Sequence, residues 1–413
     1  MKKFIEKIST TVPYTDDRID IELHGKNLIL TGSNGSGKTS LVDSIYKKLI
    51  DIVRSKKLDK IKGWEQQKLH WIGQRDNAQE GSSTYQKAKQ QIEHLDREID
   101  SVTSNPNITI SDHLEFSRMV DSELGIIELF PAVRQSQIQD ARSASGTNYN
   151  KGDLNNQRSG AQIGNQLEQH LVNLYTRRSF SITEHRNEEL EQDITKWLSD
   201  FDDNLKFLME DQSVHLNFDV DNFKFYIKQD GKEPYTFQNL SSGYSSIFSV
   251  LSKLLMRSEY LKVSPSKLCG VAIIDEIDAH LHVTLQRKIL PFLSESFPGI
   301  QYIVTTHSPF VLTSVSNAEI YDISRREQVG DLSSYSYESV LEGLFGVSSA
   351  SDILQNKIRE IAKKIEDENT NPGELETLIN KLESNQDILD EESRFYLNSA
   401  KLKINKIKKG VGE

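Results

Sequence analysis

Gly32-Ser33-Asn34-Gly35-Ser36-Gly37-Lys38-Thr39 is the stretch on which the reading of this fold turns. It follows an apolar run, Asn27-Leu28-Ile29-Leu30-Thr31, that reads as a strand. It precedes Ser40-Leu41-Val42-Asp43-Ser44-Ile45-Tyr46, which reads as a helix. Strand, glycine-rich loop and helix in that order make a phosphate-binding loop rather than a chance match. The glycines let backbone N–H groups turn inward around a polyphosphate, and the positive end of the following helix, opening at Ser40, faces the anion. Lys38 reaches the terminal phosphates and the Thr39 hydroxyl ligates Mg²⁺. An ordinary glycine turn with an incidental Lys-Thr is the plain alternative, and it explains neither flank. The pattern implies a nucleoside triphosphate.

Composition narrows the class. The chain has 413 residues, enough for two or three compact units. Its net charge of −11 argues against coating nucleic acid unaided, so any such contact needs a local patch, an assembly or a partner. Cys269 is the single cysteine, which excludes an intrachain disulfide and fits a reducing compartment; a small core residue is its plain reading. No apolar run approaches a membrane span, and Met1-Lys2-Lys3 leads into no signal-peptide core, so a cytoplasmic protein is expected.

Short strands are expected near Lys3–Ser9, Ile19–Leu23 and Leu28–Thr31, then a lysine-rich amphipathic helix over Lys47–Lys62. Tyr85, Ala88, Ile92, Leu95, Ile99 and Val102 alternate steps of three and four, which suits either a coiled-coil seam or a helix packed on the domain. Ser104-Asn105-Pro106-Asn107 ends that helix. Leu124–Phe130 reads as a short strand, and Ala141–Gly164, poor in core-forming residues, as a mobile loop. Helical patterns return near Gln166–Thr176 and Glu188–Met209. Val214, Leu216, Phe218 and Val220, then Phe223, Phe225 and Ile227, alternate as an antiparallel pair turning at Asp221-Asn222. Beyond Ser324 the chain reads as helical and charged, with Asn371-Pro372 opening one late helix.

Three further motifs carry chemistry. Cys269–Ile274 is an apolar strand ending in Asp275-Glu276. If it lies next to the phosphate loop, Asp275 can hold Mg²⁺ and Glu276 can reach the water in line with the γ-phosphate. Two carboxylates are needed because a metal-bound one is a poor base. The run Ile300–Pro309 reads as another strand, ending in His307, whose imidazole can donate to the γ-phosphate and so sense it. Leu240-Ser241-Ser242-Gly243-Tyr244 opens an apolar helix, and serine hydroxyls with free N–H groups there make a second anion site; an ordinary serine cap is the alternative. Two anion sites in one chain suggest a nucleotide shared between two subunits.

The succession of phosphate loop, Leu-Ser-Ser-Gly, Asp-Glu with Ala279-His280-Leu281-His282, and Thr305-Thr306-His307-Ser308-Pro309 resembles an ABC-type ATPase head of the SMC, RecF and OLD branch. It is most similar to stand-alone bacterial AAA-family ATPases, several of which serve in anti-phage defence; the chain resembles the Septu (PtuA) and PARIS (AriA) ATPases. The resemblance covers most of residues 1–350. It implies an α/β fold: a P-loop mixed sheet with helices, an inserted helical or coiled-coil lobe and a helical C-terminal extension. The expected organisation is 1–60 and 211–325 as the two parts of the ATPase core, 61–210 as the insertion and 326–413 as an extension suited to partner docking. The implied cofactors are ATP and Mg²⁺. By resemblance, Asp278 belongs to a segment that communicates across a dimer, and Gln135 or Gln137 touches Mg²⁺ and its water. His280 and His282 could suggest a metal, but their place in the motif favours packing or switching. The signature ends Gly243-Tyr244, without the second glycine and terminal glutamine of transporters. No acidic cluster suited to a toprim nuclease follows His307, and no His-Asn-His spacing occurs, so no intrinsic nuclease is expected. A homodimer or higher oligomer is implied, working with a separate HNH or toprim effector. DNA would be reached through that complex, with no membrane involved. The alternative is a RecF- or SMC-like repair ATPase that clamps DNA directly.

Overall fold

The computed structural model describes residues 4–12, 15, 17–122, 124–145, 162–185, 187–347, 351–367, 370–383, 389 and 391–410. Of the stretch expected to be a mobile loop, residues 146–161 lie outside the described residues. The chain divides into two units, Met1–Ser334 and Tyr335–Glu413.

In the first unit β1 (Ile5–Thr11), β2 (Arg18–Glu22) and β3 (Asn27–Thr31) lead through the phosphate loop into α1 (Lys38–Arg54). The expected lysine-rich helix breaks at Lys56, which is left-handed (φ 54°), and α2 (Lys57–Asp76) starts a new direction toward α3 (Ser83–Thr103). Then come β4 (Asn107–Ile110), α4 (His113–Asp121), β5 (Gly125–Phe130), α5 (Leu167–Phe180) and α6 (Glu188–Met209). The hairpin β6 (His215–Asp219) and β7 (Lys224–Lys228) follows, then α7 (Ser242–Leu261), β8 (Cys269–Ile274) and α8 (Val283–Ser296). The unit closes with β9 (Gly299–Thr305), the short α9 (Pro309–Leu312), β10 (Ala318–Asp322) and β11 (Glu327–Val329).

The first three strands do not share a sheet. β1 and β2 join β4 in an antiparallel sheet of order β2-β1-β4, whereas β3 lies inside a six-stranded sheet of order β11-β10-β3-β9-β8-β5. Neighbours from β10 to β5 run parallel and β11 alone is antiparallel, so the chain after Ser324 first adds an edge strand before turning helical. Likewise the range 61–210, expected as a helical lobe, contains β4 and the sheet strand β5. β3, β8 and β9 are buried along their length, the pattern of strands covered on both faces.

One polar side chain stitches the two sheets together. Gln301 on β9 accepts at its carboxamide oxygen from Phe4 N (3.1 Å) and Ile5 N (2.8 Å). Its nitrogen donates to Ile5 O (3.0 Å) and Lys26 O (2.7 Å). All four of its hydrogen-bonding positions are thus used, as a fully buried amide requires.

Ala88, Ile92, Leu95 and Val102 of α3 are buried, and α3 packs along α2. The seam is therefore filled from within the chain by a helical hairpin. Glu128 of β5 lies between Lys253 and Arg257 of α7, bonded to Lys253 Nζ at 2.5 Å and to Arg257 Nη2 by a still shorter contact. These side chains are only 8%, 12% and 14% exposed.

The second unit has α10 (Tyr337–Gly343), α11 (Asp352–Glu366), α12 (Pro372–Glu383) and α13 (Glu391–Gly410). Ile358, Ile361, Leu375, Ile379 and Leu382 form its core with Leu389, Leu397, Ala400 and Ile404. The buried apolar residues of α11, α12 and α13 thus pack on one another, while Ile353, Phe395 and Leu402 stay exposed. Lys403 Nζ caps the end of α11, donating to Ile365 O and Asp367 O (2.6 Å each) and Lys364 O (3.2 Å). No helix among the described residues is long and apolar enough to cross a membrane.

Candidate functional site

β3 delivers the chain to the C-terminal edge of the parallel sheet, between β10 and β9. Gly37 turns it into α1 with φ 89°, a left-handed value that an L side chain resists. No side chain caps α1, so its first-turn N–H groups stay available to an anion. Asn34, Gly35 and Thr39 are exposed, Ser36 and Ser40 are half-buried and Lys38 is buried. The Lys38 ammonium folds back on the loop, donating to Gly32 O and Ser33 O (3.0 Å each) and to Ser36 Oγ (3.5 Å). Ser33 N is in turn held by Ser324 Oγ at 2.7 Å, just past β10.

β8 is not the immediate neighbour of β3. β9 runs between them, because the order is β3-β9-β8. The expectation of an acid-bearing strand next to the phosphate loop is corrected accordingly, and a threonine of the intervening strand makes the link. Thr305 Oγ1 donates to Asp275 Oδ1 (2.5 Å) and accepts from Glu276 N (2.7 Å). Asp275 is 3% exposed, whereas Glu276 is exposed and takes the left-handed φ of 44°. Such a backbone costs a non-glycine residue roughly 1 kcal/mol.

Electrostatics tie these groups together. Burial lowers the Lys38 ammonium from its ordinary value, while Glu276, Asp275, Asp278 and Asp322 oppose that shift in decreasing order. His307, half-buried two residues past β9, is lowered first by burial and then by the Lys38 charge, against Asp278 and Glu276. Both effects favour the neutral imidazole, which keeps one N–H to donate. Asp278 is held by Thr306 Oγ1 at 2.6 Å, and Ser308 N donates to that same hydroxyl at 2.9 Å. Lys38, Asp275, Glu276, Asp278 and His307 thus form one cluster. Uncapped N–H groups, a lysine, the Thr39 hydroxyl and the Asp275 carboxylate suit a polyphosphate with a hard divalent cation, which takes oxygen ligands.

The signature lies against the far end of the turn that follows β8. Ser241 and Ser242 are exposed at the start of α7, again with no side-chain cap, and Gly243 is buried against the His280 carbonyl. A Cβ on Gly243 would sit 2.9 Å from that backbone oxygen. Gly243→Ala is expected to lower stability by about 1–3 kcal/mol, the usual cost of overpacking, as read by urea denaturation. A loss within ~0.3 kcal/mol would show that α7 can move aside.

Gln135 and Gln137 are both exposed in the loop after β5. His280 is exposed with φ 64°, and His282 precedes α8 with Nδ1 3.3 Å from Thr284 Oγ1. Among the described residues no group of three or more His, Cys, Asp or Glu side chains is placed to hold a metal. Sequence reading missed Ser324 and Arg134. The Arg134 guanidinium is buried and bonds the carbonyls of Asp275, Glu276 and Ile277. Neither residue has a motif, because each acts on a segment distant in sequence. Thr305 stood in the quoted Thr-Thr-His-Ser-Pro run without a role.

A family model described as "AAA domain, putative AbiEii toxin, Type IV TA system" matches residues 28–313, and the chain belongs to this family. Over 85 residues it is 41% identical to the "Retron Vc95 probable ATPase" of Vibrio cholerae serotype O1 biovar El Tor, covering 20% of this chain and 16% of that protein. Over 168 residues it is 29% identical to the "Septu protein PtuA" of Bacillus thuringiensis, covering 36% of this chain and 42% of that one. The matches thus span less than half of either relative. Among solved structures, an Smc head bound to the C-winged helix domain of ScpA aligns at 13% identity with a TM-score of 0.36, over 78% of this chain and 94% of that one.

Proposed function

We propose that this AAA-domain family member binds ATP and Mg²⁺ between two copies of itself and hydrolyses the ATP. In this reading the nucleotide gates a scaffold that holds a separate nuclease or toxin in check, as part of a bacterial anti-phage defence complex. The observation that carries the reading is the cluster of Lys38, Asp275, Glu276, Asp278 and His307 beside an uncapped phosphate loop at one edge of the sheet.

Each residue has a task that its surroundings suit. Lys38 exchanges the loop carbonyls for phosphate oxygens. Thr39 and Asp275 would hold Mg²⁺, which when bound neutralises phosphate charge. Glu276, exposed on a gripped backbone, takes a proton from water, and neutral His307 donates toward the terminal phosphate. Phosphoryl transfer of this kind depends on positioning and charge stabilisation more than on covalent chemistry. Ser241, Ser242 and Gly243 would face the nucleotide of the other copy, with Asp278 in the segment that reads that copy. Gln135 or Gln137 would reach the metal and its water. The defence role draws support from the resemblance of the motif set and from relatives named for a retron and for Septu. The effector would be an HNH or toprim nuclease, and DNA would be met through the complex.

A mixing experiment tests the shared site. Lys38→Ala and Ser242→Arg are each expected to abolish turnover when purified alone. Mixed in equal amounts, their heterodimers carry one intact composite site, and activity should return to roughly a quarter of the unsubstituted level. If the mixture stays as inactive as its components, the site is not shared. Salt-sensitive, ATP-dependent binding of the chain alone to DNA would instead support direct clamping.

A further inference from the structure

We propose that Arg134 is a positioning residue that holds the backbone of Glu276, and that the segment it opens couples this grip to the start of α7. The proposal rests on the reading of Glu276 as the group that activates water.

Arg134 leaves the end of β5 and is only 8% exposed. Its Nη1 donates to Asp275 O at 2.7 Å, to Pro131 O at 3.1 Å and to Ala132 O at 3.5 Å. Its Nη2 donates to Glu276 O at 3.1 Å and to Ile277 O at 3.2 Å. Three successive carbonyls of the turn leaving β8 therefore converge on one guanidinium. This is the residue type for such a task, because a planar fork with five donors spans several acceptors where an ammonium serves as a point. The carbonyls converge because Glu276 is left-handed, at φ 44°. The strained residue is gripped from both sides, by Arg134 at its carbonyl and by Thr305 Oγ1 at its N–H, while its carboxylate stays exposed.

The same segment is fastened at its other end to the signature helix. Ser136 N donates to Ser245 O (3.1 Å) and Ser245 Oγ (2.9 Å), and Ile138 O accepts from Gln238 Nε2 (3.1 Å). Glu168, fully buried on α5, fixes Gln238 from behind at 2.8 Å. A displacement of α7 is thus delivered, through two residues of chain, to the guanidinium that sets the Glu276 turn. A composite site needs such a link, because the base must respond to the position of the signature.

The test uses the full chain carrying Arg134→Lys, alone and combined with Glu276→Gln. Single-turnover ATP cleavage is expressed per ATP site titrated on the same preparation, so unfolded protein drops out of the ratio. Arg134→Lys is expected to lower cleavage at least ~30-fold while the ATP Kd moves less than ~3-fold. In the Glu276→Gln background the same change should add less than ~3-fold, because a residue acting through Glu276 has nothing left to position. Losses that multiply, or an Arg134→Lys chain as fast as the unsubstituted one, overturn the proposal. So does an Arg134→Lys chain that binds no ATP, since Arg134 then supports the fold at large. An unsubstituted chain that binds ATP without cleaving it overturns the reading of Glu276 itself.

Discussion

Glu276→Gln is expected to slow ATP turnover by about 10²–10⁴-fold, the range for loss of a general base, while ATP stays bound. Glutamine keeps the length and shape of glutamate, and the backbone contacts at Glu276 N and O involve no carboxylate atom. The Thr305 bridge to Asp275 is untouched as well, so the metal-holding acid keeps its place. What changes is the ability to accept a proton. One carboxylate fewer also faces Lys38 and His307, since Glu276 opposes the downward shift of both. Binding should change little, and hydrolysis itself becomes the slow step. If the nucleotide clamps two copies, ATP should drive the variant into a dimer that persists for many turnover times of the unsubstituted chain. Size-exclusion chromatography with and without ATP, alongside phosphate release, reads both effects. A variant that stays monomeric and turns over at the original rate would sink the model.

Removing the carboxylate of Glu128 is expected to have the largest effect on stability. Glu128→Ala leaves the Lys253 and Arg257 charges without their buried acid, at a cost of roughly 3–5 kcal/mol. The loss falls on the packing of α7 against β5, and α7 carries the signature serines, so ATP turnover should decline with stability. Urea denaturation measures the first and phosphate release the second. Replacing all three residues together, Glu128→Leu with Lys253→Met and Arg257→Met, should recover most of the stability, because an apolar set of similar volume avoids the desolvation penalty. A loss under ~1 kcal/mol for Glu128→Ala would mean that water reaches the triad and screens it.

How much was legible differs from residue to residue. The phosphate loop and its flanks were readable because strand, turn and helix each rest on neighbours within a few positions, and Gly37 at φ 89° is where only a glycine is comfortable. The β6–β7 pair was readable from alternation, and its register runs His215↔Lys228 to Asp219↔Lys224. The heptad-like spacing of α3 announced an apolar seam but not its partner, since α2 buries no residue fully and offers only a weak stripe. The helix ends at Thr103 as expected, but β4, the four residues that follow at Asn107–Ile110, drew no expectation, because its strand character comes from pairing with β1 about a hundred residues earlier.

By itself, then, the sequence determined the local devices: an anion loop on a helix start, a strand ending in two acids, a strand leading to a histidine, and a serine-headed helix. These depend on backbone geometry and apolar period, which are short-range properties. The tertiary structure alone decided which devices meet. The insertion of β9 between β3 and β8 made Thr305 the bridge to Asp275 and Glu276. The pairing of β5 with β8 brought Arg134 to the carbonyls of the Glu276 turn. The order of strands in a parallel sheet is set by how long crossovers pack as a whole, so Arg134 stands in the chain without a motif, and Thr305, though inside the Thr-Thr-His-Ser-Pro run, takes its role only from the strand order.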